Sequence, residues 1–237
     1  MTGTKHSTVV GVDGCRGGWI AIVAIDERLS AVVVERVADL LAQLPEDALI
    51  AIDVPIGLMD RGARQCDQEA RRLLGSKRGS SVFPAPIRPV LDAATYQDAC
   101  AIRETVEGKR MSQQAYAIIP KIREVDTLLR SSQDARTRIR EVHPEVCFWQ
   151  WNGEQPMAVK KKSKAGQLER ETLIHARWPG VHTSFLGRWP RTQVARDDIN
   201  DAFAALWTAE RIVAGTAVRI PVAPVVDSVG LPMEMWA

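Results

Sequence analysis

The chain has 237 residues, 46% of them hydrophobic and 25% charged, with a formal net charge of +2. That is the composition of a soluble globular protein with enough apolar residues for a full core, and its near-zero charge excludes any global electrostatic case for nucleic acid; such a case has to be local. No apolar run approaches a membrane span and the opening Met1-Thr2-Gly3-Thr4-Lys5-His6-Ser7-Thr8 has no signal-like apolar stretch, so no membrane partner and a cytoplasmic location are expected.

Ser7–Asp13 reads as the first strand, because Val9-Val10-Gly11-Val12 is an unbroken apolar run. Gly14-Cys15-Arg16-Gly17-Gly18 follows as a turn. Trp19–Ile25 and Ala31–Arg36 are predicted strands joined through Asp26-Glu27-Arg28, and Val37–Leu44 is a short helix ended by Pro45. Leu49–Asp53 is the fourth strand, stopped by Pro55 and Gly57. A hairpin, a helix and another strand make an α/β signature. Helices are predicted over Ala63–Leu74, Ala94–Glu107 and Ser112–Arg130, the last kinked at Pro120. The irregular stretch Gly75–Pro89 separates the first two. Residues 58–132 are too many for one simple crossover, so they are expected to form a helical subdomain near the functional edge of the sheet, inside a single domain spanning 1–237. Thr137–Cys147 is read as the fifth strand. A helix over Lys164–Ala176, a loop holding Trp178, Pro179, Trp189 and Pro190, a last helix over Asp197–Ala214 and an extended tail after Ala217 complete the reading. On the predicted fifth-strand side, Trp149 and Trp151 alternate with Gln150 and are assigned to core packing.

The four cysteines, Cys15, Cys66, Cys100 and Cys147, form no C-x-x-C pair and read as free thiols of a reducing compartment. His143 and Cys147 lack partners at zinc spacing and are read as a strand residue and a core thiol.

The chemistry lies in the acidic residues. Asp13 and Asp53 each end an apolar run of four, which delivers a carboxylate to the exit edge of a buried strand, the edge where open α/β sheets bind ligands. Glu145 follows Arg140-Glu141-Val142-His143-Pro144 on the predicted fifth strand. Asp198 and Asp201 are three apart, hence on one helix face, and Ala202, Ala204, Ala205 and Ala209 let that helix pack closely on a sheet. Each has a plain alternative: a turn acceptor at Asp13 or Asp53, an exposed strand residue at Glu145, a helix cap at Asp198 and Asp201. Together they predict a cage for divalent cations, since close carboxylates repel unless a cation joins them. Oxygen-only ligands select Mg²⁺ or Mn²⁺, and two such ions can activate a water and stabilise the leaving oxygen of a phosphodiester.

The segments Gly11-Val12-Asp13-Gly14-Cys15-Arg16-Gly17-Gly18-Trp19, Ile52-Asp53-Val54-Pro55-Ile56-Gly57-Leu58, Arg64-Gln65-Cys66-Asp67, Ser81-Val82-Phe83-Pro84-Ala85-Pro86, Pro120-Lys121-Ile122-Arg123-Glu124-Val125-Asp126, His143-Pro144-Glu145 and Asp198–Ala202 resemble the domain of unknown function 429 family, described as predicted nucleases of ribonuclease H fold. Asp198–Ala204 is similar to the corresponding helix of Holliday-junction resolvases. The resemblance implies a ribonuclease H-like mixed five-stranded sheet flanked by helices, with a helical insertion between strands four and five. It implies Asp13 bridging two metals, Asp53 holding one and Asp201 the other with help from Asp198, and Glu145 as a further ligand or outer partner.

Between positions 61 and 90 basic residues outnumber acidic ones, and Arg16, Lys77, Arg78, Arg88 and Lys121 are the candidates for contacting a nucleic-acid substrate. Lys160, Lys161, Lys162 and Lys164 are read as a solvated run. The expected function is metal-dependent phosphodiester hydrolysis. Two rivals stand beside it. One is a nucleotide-binding phosphotransferase of the same superfamily, opposed by the absence of a G-x-x-x-x-G-K-[ST] loop. The other is a non-catalytic binding module.

Overall fold

Apolar runs with no polar break have no face to spare for water, and they build the centre of this protein. A computed structural model describes residues 8–26 and 28–237; Ser7, expected to open the first strand, and Glu27, expected in the following joint, lie outside the described residues. β1 (Thr8–Cys15), β2 (Gly18–Ile25) and β3 (Arg28–Val34) form an antiparallel meander, with Cys15 paired to Gly18 across the first turn. Gly18 takes φ 116°, and a Cβ there would lie 2.2 Å from the Val34 carbonyl oxygen, so no side chain fits. After α1 (Val37–Gln43), β4 (Leu49–Ile52) pairs in parallel with β1, from Val9↔Leu49 to Val12↔Ile52. The chain then runs through α2 (Gln65–Arg78), α3 (Tyr96–Glu107), α4 (Gln113–Ala117), α5 (Ile119–Ser131) and α6 (Gln133–Arg138) before β5 (Ile139–Glu141), which is parallel to β4. It continues through α7 (Pro144–Trp151), α8 (Lys164–Arg177), α9 (Val181–Phe185) and α10 (Arg196–Val213) to the two-residue strands β6 (Arg219–Ile220) and β7 (Met235–Trp236). The result is a mixed five-stranded sheet of order β3-β2-β1-β4-β5 among ten α-helices of the described residues.

The strand alternation decides which helices cover which face. Val10, Val12, Ile50 and Ile52 point into a core with α1, α3 and α5, while Val9, Leu49 and Ala51 point into a second core with α7, α8 and α10. A third, smaller core joins Cys66, Ala70 and Leu74 of α2 to Val146 and Trp149 of α7 and to the C-terminal tail. All four cysteines are buried free thiols.

The expected fifth strand is the main correction. The strand ends at Glu141, and residues 144–151 are helical. Pro144 occupies the first turn of α7, where its missing N–H costs nothing and its fixed φ suits a helix. Glu145 is therefore a residue of a helical first turn and not a strand end, and Trp149 and Trp151 do not alternate along a strand. Trp149 is buried against α2, while Trp151 stacks on Phe148 and Trp207. The single helix expected over Ser112–Arg130 is two, broken at Ile118 with Pro120 in the first turn of the second. The loop expected between the last two helices contains α9, and the tail pairs β6 with β7. Among the described residues, no helix is long and apolar enough to cross a membrane.

Candidate functional site

Asp13 is an odd-numbered residue of β1, so the alternation that sends Val9 toward α10 sends its carboxylate to the same side. The Asp53 amide donates to the Val12 carbonyl at 3.0 Å, which holds Asp53 beside Asp13 where the β1–β4 ladder ends. The third acid depends on Gly11. A Cβ at Gly11 would lie 2.1 Å from both the Ala202 oxygen and the Leu206 nitrogen. Helix α10 thus touches β1 backbone to backbone, helped by Ala202, Ala205 and Ala209, which are fully buried. This approach carries Asp201 onto the same edge.

The three carboxylates feel one another. Burial, then Asp201 and Asp53 opposite it, hold the Asp13 carboxyl well above the usual carboxylate range. Burial pushes Asp201, only 1% exposed, up to about 7, against the pull of Lys161 and with the repulsion of Asp53 and Glu145. Lys161 donates to Asp201 Oδ2 at 2.5 Å, and chiefly through Asp201 it is held more firmly protonated than a free lysine. Asp201 Oδ1 is buried with no hydrogen-bond partner among the described residues. Three carboxylates face the Lys161 ammonium, with Lys121 acting on Asp13 from the β1–β2 turn, and the site is short of positive charge.

That shortage is what a divalent cation would meet. An all-oxygen donor set, an orphaned buried oxygen and a lysine standing in as the local cation suit Mg²⁺ or Mn²⁺. The carboxylates are near but not closed into a cage: among the described residues, the trio whose ligand atoms all lie within 4.8 Å of one another is Cys66, Asp67 and Glu141. That group could hold a metal ion by spacing, yet Arg64 already fills it. The Arg64 guanidinium, 2% exposed, bonds Asp67 Oδ1 at 2.5 Å and Glu141 at 2.7 and 2.8 Å. The Ile56 and Ala85 amides complete Glu141 and Asp67. Burial also pushes the Cys66 thiol up, which keeps it a neutral, poor ligand.

The other expected site residues divide. Asp198 caps α10, accepting from the Ala195 amide at 2.8 Å, and still borders Asp13 electrostatically. Glu145 is tied to the buried Arg170 at 2.5 Å, with Oε2 left without a hydrogen bond. Lys121 lays its stem over Gly14, where a Cβ would meet Cδ at 2.9 Å. Its ammonium donates to the Gly18 carbonyl and lies 4.2 Å over the Trp19 ring. Burial lowers its pKa, offset in part by Cys15, Glu124, Asp13 and Asp198. Arg16 is exposed beside the acids. Lys77 is exposed on α2 beyond the break at Gly75. Arg78 and Arg88 are committed elsewhere. Arg78 is buried and donates to the Met157 carbonyl at 2.9 Å, and Arg88 pairs with Asp126 at 2.9 Å and with Asp227. The sequence reading missed Lys161, which is half-buried at the centre and not part of a solvated run.

Next to the acids opens a pocket of about 510 Å³, walled by Gly14, Cys15, Arg16, Lys162, Arg191 and Asp198 among others. Its lining sets three cations, Arg16, Lys162 and Arg191, beside Asp197 and Asp198.

A family model described as "Protein of unknown function (DUF429)" matches residues 11–225. No curated protein and no solved structure matches the chain.

Proposed function

The chain belongs to the DUF429 family, and we propose that it is a metal-dependent nuclease of ribonuclease H-like fold. The observation that carries the reading is the convergence of Asp13, Asp53 and Asp201 on one sheet edge from the ends of β1 and β4 and from α10, with Lys161 paired to Asp201. The sheet order β3-β2-β1-β4-β5, with an antiparallel meander first and two parallel strands after, supports the fold assignment. On that assignment α2 to α6 are the insertion between strands four and five.

Asp13, Asp53 and Asp201 would hold Mg²⁺ or Mn²⁺, with Asp198 outside them. When bound, such ions supply an activated water and stabilisation of a leaving oxygen. The protein's own residues do the rest. The rigid β1–α10 contact at Gly11 fixes the acids before any ligand arrives, so little reorganisation remains to oppose the reaction. Arg170 holds Glu145 against α8 and offsets its charge beside the cluster. Arg16 and Lys162 line the adjoining pocket and attract the phosphates of a nucleic-acid strand, while Lys121 sets a positive charge on the β1–β2 turn.

The test is cleavage of a panel of single- and double-stranded DNA and RNA with Mg²⁺ or Mn²⁺, beside Asp13→Asn. Cleavage by the wild type that needs the metal and disappears in Asp13→Asn is expected. The variant's melting temperature should hold or rise, because one repulsive carboxylate is gone. A variant that cleaves like the wild type refutes the assignment, and one that loses its fold gives Asp13 a structural role.

A further inference from the structure

Lys161 is an odd resident for a carboxylate cluster built to take a divalent ion. Its position is built, not accidental. The Ala158 and Val159 amides both donate to Glu169, at 2.6 and 3.2 Å. The Val159 carbonyl accepts from Arg170 at 3.2 Å, and the Lys160 carbonyl accepts from the Ser163 amide at 3.0 Å. Helix α8 begins so close that a Cβ at Gly166 would lie 2.0 Å from the Lys160 oxygen. The backbone on either side of Lys161 is thus pinned to α8, and the freedom left to the residue is its four-carbon stem.

The side chain is 38% exposed while its partner Asp201 is 2% exposed. The ammonium can leave without moving the loop; the carboxylate cannot follow it. Lys161 covers one oxygen of Asp201 and leaves Oδ1 bare, so the ion pair neutralises the acid without satisfying it. A divalent ion bonds two oxygens and adds one more unit of charge, so it outcompetes an ammonium at such a cluster. The next residue in the chain, Lys162, already lines the pocket that Arg16 and Arg191 also line.

We propose that Lys161 is a resident counter-ion which a divalent cation displaces from Asp201, and that the released ammonium then binds the phosphate of the substrate. Metal loading and anion binding then strengthen each other, because the charge set free by the first event serves the second. In the metal-free protein the same lysine holds the acids together and keeps the phosphate pocket one cation short. The inference rests on the metal reading above and assigns Lys161 a counter-ion and substrate-binding role within it.

Three measurements on the full chain test it without relying on activity. First, brief labelling with an amine-reactive ester, quantified by peptide mass spectrometry, compares Lys161 with Lys160 and Lys162 as internal controls. Adding Mn²⁺ should raise Lys161 labelling about tenfold and leave the controls level. Second, titration calorimetry should show Mn²⁺ binding about tenfold tighter to Lys161→Met than to the wild type. Third, with a 5′-phosphorylated dinucleotide as the probe, Mn²⁺ should enhance binding about fivefold more in the wild type than in Lys161→Met. Lys161→Gln repeats the comparison if the first variant fails to fold. Mn²⁺ that binds both proteins equally, with flat Lys161 labelling, leaves the metal reading standing and overturns the displacement. Equal enhancement of dinucleotide binding in both proteins overturns the phosphate role. Mn²⁺ that binds neither protein removes the metal reading and this inference together.

Discussion

Two buried acidic clusters sit near the same edge of the sheet, and they differ in how their charge is met. Around Arg64, two carboxylates share a guanidinium that bonds all four of their oxygens, and a backbone amide adds a second bond to one oxygen of each. Around Asp13, three carboxylates face a flexible ammonium that bonds only Asp201, and among the described residues a buried Asp201 oxygen has no partner. A satisfied network of this kind is scaffold, whereas a charge-deficient one invites a ligand. Spacing alone would rank them the other way, because the tighter group is the one already filled. On the proposed reading, missing positive charge marks a metal site as much as ligand distance does.

The comparison breaks most visibly if Arg64 is removed. Arg64→Met strands Asp67 and Glu141 in the core, and breaking one partner of a buried pair costs about 3–5 kcal/mol, or about 10 °C in melting temperature for a chain this size. A thermal scan showing no loss would mean that the network is not scaffold. Gly11→Ala comes next. Its methyl group meets α10 backbone at 2.1 Å, and overpacking of this kind costs about 1–3 kcal/mol. Because it moves Asp201 away from Asp13, Mn²⁺ binding measured by calorimetry should fall more than stability does. The smallest effect is the pH dependence. Asp201 is raised from 3.8 to about 7 in the folded protein, so the folded state binds this proton more tightly than the unfolded chain. Its stabilising contribution is complete below pH 3.8 and is lost as pH rises through 7. Between pH 6 and 8 the metal-free wild type should lose a few degrees of melting temperature relative to Asp201→Asn, in which this proton is absent. The difference also cancels Glu141, which burial likewise raises to about 7. Curves that run parallel would show that Asp201 does not titrate there.

How much of this was legible in the sequence follows from the range of the interactions. Asp13 and Asp53 were readable because an apolar run of four and the acid that ends it are local features. Ala202, Ala205 and Ala209 announced a close helix–sheet contact, but the glycine that receives it is nearly two hundred residues away. Glu145 was misplaced because the apolar character of Val142, Val146 and Phe148 carries past the strand end. Pro144, the signal that starts α7, was read as part of a strand. The Arg64–Asp67 pair has helical spacing, while its third member, Glu141, lies 77 residues on and left no local trace. Arg78 and Arg88 looked like substrate contacts from charge alone, and burial against Glu145, Met157, Asp126 and Asp227 removes them from that role. Lys161 was hidden in a run of similar lysines, of which only the fold selects one.

The central claim is that the Asp13, Asp53 and Asp201 cluster lacks positive charge and takes it from a divalent ion. The most direct measurement is the melting temperature of the wild type and of Asp201→Asn at pH 8, with and without millimolar Mn²⁺. The account predicts that the wild type gains about 5 °C or more and that the variant gains little. A wild type whose melting temperature does not respond to the ion, or a variant that responds as strongly, would contradict it.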